Sequence, residues 1–105
     1  MKLRLKEVFS IVNQIKGFNL VIKFIGPAKL ALDGGVDFAA KIDEKDIVCY
    51  FSYEVLEDIE PDELMGDALL HFSKHQLKLL SIAENKILKG HAHSGRIEIY
   101  TNDLH

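Results

Sequence analysis

A chain of 105 residues is long enough for one hydrophobic core and short for two, so a single domain, residues 1–105, is expected. Hydrophobic residues at 48% and charged residues at 28% exclude the low-hydrophobicity signature of disorder, and no stretch approaches the roughly 20 apolar residues of a membrane span. A net charge of −3 argues against a dedicated nucleic-acid binder, and the single cysteine, Cys49, excludes an internal disulfide and a CxxC pair.

Leu5, Val8, Phe9, Val12 and Ile15 recur at helical spacing, which predicts an amphipathic helix over residues 3–16, ended by Gly17. Residues 1–17 are thus expected as a helical, assembly-type addition to an α+β core at 18–105. The charged opening MKLRLKEVF does not fit a secretory signal, so the expected compartment is the cytoplasm. Asn19 to Ile25 is β-branched and aromatic and reads as a strand ended by Gly26-Pro27. Ala28 to Gly35 is expected as a loop closing on the turn signal Asp33-Gly34-Gly35.

Val36, Phe38, Ala40 and Ile42 alternate with Asp37, Ala39 and Lys41, and Ile47 to Phe51 is apolar throughout. Together they predict a hairpin whose second strand is covered on both faces. Ser52 can cap a short helix, Tyr53 to Ile59. Pro61 to Lys89 then reads as one long helix, with Pro61, Asp62 and Glu63 suited to its start and Gly90 to its end. Its stripe of Met65, Ala68, Leu69, Phe72, Gln76, Leu79, Leu80, Ala83 and Ile87 needs a sheet to cover. Ile97, Ile99 and Thr101 alternate with Arg96, Glu98 and Tyr100 in a last strand. The expected order is α-β-β-β-α-α-β: a small, mainly antiparallel four-stranded sheet packed against one long helix.

No phosphate-binding loop and no nucleophile, base and acid arrangement stands in the sequence, so a non-enzymatic protein without a cofactor is expected. His71 and His75, four apart on the long helix, have the spacing of helical zinc ligands. His91 and His93 follow in a turn past the helix end, roughly 25 Å from His71 at about 1.5 Å per residue, which argues against a single four-histidine site. The plainer expectation is that His71 and His75 flank the buried stripe with wet nitrogens. Cys49, inside a strand, is expected as a small hydrophobe. The acids between Glu54 and Asp67 lack EF-hand spacing and read as a solvated face.

A second apolar set, Leu70, Leu77 and Leu88, lies nearly opposite the Phe72 stripe. A helix apolar on two sides is covered on two sides, either by Leu5, Phe9 and Val12 of the N-terminal helix or by a second chain. The expected function is therefore a protein-interaction or regulatory domain acting as a homodimer. The alternatives are a nucleic-acid-binding or transcription-regulator-like domain using Lys2, Arg4, Lys6 and Lys16, and a metal-binding protein using His71 and His75.

Val36-Asp37-Phe38-Ala39-Ala40, Ile47-Val48-Cys49-Tyr50, Ser52 to Asp58, Phe72, Ala83 to Ile87 and Gly95 to Ile99 carry a family resemblance. From about residue 20 to 101 the chain resembles the small bacterial proteins grouped as domain of unknown function 1488. The resemblance implies a β-hairpin, a short helix, a long helix and a closing strand, and no established activity.

Overall fold

The computed structural model of the protein describes residues 9–15, 18–59 and 67–104. Among them β1 (Phe9–Ile15), β2 (Phe18–Leu30), β3 (Val36–Ile42), β4 (Lys45–Phe51) and β5 (Arg96–Ile99) form one sheet in sequence order. Neighbours pair antiparallel except β4 and β5, which run parallel. The β4 to β5 crossover holds α1 (Tyr53–Ile59), α2 (Ala68–Lys74) and α3 (Gln76–Leu88), and a 3₁₀ turn (Thr101–Leu104) follows β5. The expected α+β class and mainly antiparallel sheet are present.

Three local expectations are corrected. Residues 9–15 are a strand rather than part of a helix, with Phe9 opposite Phe24 and Ile11 opposite Ile22. Phe9, Ile11 and Ile15 also alternate, and pairing with β2 selects that period over the helical one. Ala28 to Leu30 continue β2 beyond a register shift between Phe24 and Ala28, where the Gly26-Pro27 bond is cis, instead of starting a loop. The expected long helix is divided at His75 into α2 and α3; its expected start, Pro61 to Glu63, lies outside the described residues.

The hairpin turns at Asp43 and Glu44, both with positive φ, the geometry of the tight turns that suit twisted antiparallel strands. It is fastened to β2: the Val21 N–H donates to Asp43 Oδ1 at 3.1 Å, and the Asp43 N–H to the Val21 carbonyl at 2.9 Å. The Ser52 hydroxyl oxygen accepts from the Val55 N–H at 3.0 Å, the cap expected for α1. Gly90 ends α3 at φ +83°, with its N–H on Ile87 and that of His91 on Lys86, which satisfies two of the last carbonyls.

One face of the sheet is covered by the helices. Ile22, Phe24, Phe38, Ala40, Ile47, Cys49, Phe51, Ile97 and Ile99 are buried there against Val55, Leu56, Ala68, Phe72, Leu79, Leu80, Ala83 and Ile87. Phe72 sits between Phe38 and Phe51, with ring centres 5.5 and 5.0 Å away. Among the described residues no helix is long and apolar enough to cross a membrane.

Candidate functional site

Among the described residues, two places on this scaffold gather polar side chains. The first is the junction of α2 and α3. Asp67 opens α2 by accepting from the Leu70 N–H at 3.0 Å. Eight residues on, the His75 N–H donates to both His71 and Phe72 carbonyls, at 3.3 and 3.1 Å, so a tighter turn ends α2. The Leu79 N–H then bonds the His75 carbonyl and α3 begins.

The junction brings the His71 and His75 rings to 4.9 Å between centres, inclined at 57°. His71 is 2% exposed, and among the described residues neither of its ring nitrogens has a hydrogen-bond partner. The expected wet nitrogens are therefore not found at His71. A buried polar group left unpaired costs about 1–3 kcal/mol, so His71 stands out against the apolar core around it.

On the outer side of the same helices Leu70 is 60% and Leu77 68% exposed. Leu88, expected beside them, is instead half-buried against the core. The interface candidates Phe9 and Val12 belong to β1, and Leu5 lies outside the described residues. So do the nucleic-acid candidates Lys2, Arg4, Lys6 and Lys16.

The second place is the sheet face turned away from the helices. Asp37, Tyr50 and Glu98 stand in one cross-strand row. Arg96 lies 4.8 Å over the Tyr50 ring, its Nε 2.9 Å from Glu98 and its Nη1 3.8 Å from Asp37. The Tyr50 hydroxyl donates to Asp33, and the Tyr100 ring meets that of Tyr50 edge-on with centres 6.1 Å apart. Tyr50 is 6% exposed as a result, covered on this face by side chains rather than by a second layer.

Burial and the bond to Asp33 push the Tyr50 phenol above its ordinary range, while that bond and the Gly35 N–H hold the Asp33 carboxyl below its own. Hydrogen bonds from Arg96 and then Tyr100 lower Glu98. Lys86 reaches from α3 to the Glu98 carbonyl and to Asp103 at 2.8 Å, occupying a backbone acceptor on β5. Lys86 and Arg96 are thus held by acids, and the group carries no surplus of positive charge for a phosphate backbone.

Sequence reasoning placed Arg96, Glu98 and Tyr100 on one face but missed Asp33, Asp37 and Tyr50 as their partners. The only local signal was strand alternation, which gives a face and not a neighbour. Cys49 is buried as expected, and burial pushes its thiol up to about 12, far from a reactive thiolate. Among the described residues no group of three His, Cys, Asp or Glu side chains is placed to hold a metal ion.

A family model described as "Protein of unknown function (DUF1488)" matches residues 27–99. The chain belongs to that family. The matched segment runs from Pro27 inside β2 to Ile99, the last residue of β5, so it contains the hairpin, α1 to α3 and the row Asp37, Tyr50 and Glu98. It leaves β1 and Tyr100 outside. No curated protein and no solved structure matches the chain.

Proposed function

We propose that this chain is a non-enzymatic interaction domain that works as a homodimer, held through the outer side of α2 and α3. The observation that carries the reading is the exposure of Leu70 and Leu77, one on each side of the His75 junction, on helices whose inner side is already filled. Burying a leucine releases about 1.5–3 kcal/mol, and nothing among the described residues collects that gain within the chain. A two-fold contact is self-complementary, so two antiparallel copies of this junction set each Leu70 beside the other copy's Leu77. The absence of a recognisable catalytic motif from the sequence supports a role exercised through contacts, regulatory or accessory to a partner.

The test is light scattering on a sizing column over a range of concentrations, with Leu70→Glu and Leu77→Glu beside the unaltered protein. A dimer that either substitution converts to a folded monomer is the expected result. A monomer throughout the micromolar range overturns the proposal.

A further inference from the structure

We propose that His71 and His75 form a two-imidazole binding site for a divalent cation of the zinc, copper and nickel group. The proposal is independent of self-association. Three observations meet at this pair. The spacing of four residues survives the helix break, because His75 both closes α2 and opens α3. The ring centres are 4.9 Å apart and the planes inclined at 57°, so the rings are not stacked on each other. Two imidazoles that share a tetrahedral ion through nitrogens at about 2.0–2.1 Å hold their ring centres about 5 Å apart, which is the separation found.

The third observation is the state of His71. It is 2% exposed, and neither Nδ1 nor Nε2 has a hydrogen-bond partner among the described residues. A bound ion supplies one of those nitrogens with the partner that the surrounding side chains do not. Neutral imidazole is a donor suited to zinc, copper and nickel and poorly suited to calcium or magnesium, which prefer oxygen. The described residues place no third His, Cys, Asp or Glu in the group, so water or an added donor completes the coordination. His91 and His93, both exposed in the turn before β5, are separate from the pair and serve as its control.

Zinc chloride titrated calorimetrically into tag-free, chelator-treated protein tests the assignment. Saturable binding is expected, weakened at least about tenfold in His75→Gln and in His71→Gln, since loss of even an outer partner of a ligand weakens metal binding roughly 10–100-fold. The double variant His91→Gln, His93→Gln should bind as the unaltered protein does. Where His71→Gln fails to fold, nickel-induced broadening of imidazole resonances in the unaltered protein decides instead, and it should single out His71 and His75. No saturable binding, equal affinity in the His75 variant, or broadening confined to His91 and His93 overturns the proposal.

Discussion

On the helix side of the sheet, Phe24, Phe38, Phe51, Ile97 and Ile99 are covered by side chains from α1 to α3; on the other side the same strands present Lys23, Lys41, Asp37, Tyr50, Arg96 and Glu98. The helix side is held by burial, which is non-directional and tolerates no gap. Among the described residues the open side has no covering layer, and it is organised by directional contacts. Lys23 pairs with Glu44 at 2.9 Å and Lys41 with Asp46 at 2.6 Å, and Arg96 and Asp33 close over Tyr50. The contrast teaches where stability and where adjustable chemistry reside. Exposed ion pairs contribute about 0–1 kcal/mol each, whereas one core aromatic contributes several times that.

Truncation on the helix side should have the largest effect. Phe72→Ala removes the ring that spans Phe38 and Phe51, and chemical unfolding should show a loss of about 3–5 kcal/mol. Gly35→Ala probes the boundary between the faces. A Cβ at Gly35 would collide with the Phe51 carbonyl oxygen and stand 2.9 Å from the Tyr50 ring, so backbone has to move. The expected loss is about 1–3 kcal/mol, and an unchanged melting temperature would contradict this packing.

The smallest change is expected on the open side. Tyr50→Phe keeps the ring under Arg96 and removes only the hydroxyl that donates to Asp33, for a loss of about 1 kcal/mol. The pH dependence gives the sharper reading. Asp33 and Glu98 are lowered from ordinary values of 3.8 and 4.5, so what they contribute is present above those values and lost as the pH falls through the lower folded ones. Melting curves from roughly pH 6 to 3 should show this acid loss, and Tyr50→Phe should reduce it by letting Asp33 return toward its ordinary value.

The hairpin, the capped α1, the buried stripe on α2 and α3 and the closing strand were legible from local pattern alone. In each, apolar period, cap and turn residues agree with the final structure, as at Val36 to Ile42 and Ser52 to Ile59, but among the described residues β4, expected to be covered on both faces, meets helices on one face only. Phe9 to Ile15 was not legible, because its apolar residues satisfy both the helical and the strand period, and only β2 arbitrates between them. The candidate sites were half legible. The spacing of His71 and His75 was plain, but the burial of His71 was not, since a flanking position on a helix becomes wet or dry according to what packs beside it.

By itself the sequence determined the α+β class and the alternation of apolar and polar faces in β3 and β5, because periodicity acts over a few residues. Tertiary structure decided which long-range neighbours meet. Asp33 reaches Tyr50 across 17 positions, Lys86 reaches Asp103 across 17, and β4 lies parallel to β5 across the whole helical crossover. Such pairings depend on how strands order and helices dock in space, and no local spacing encodes them.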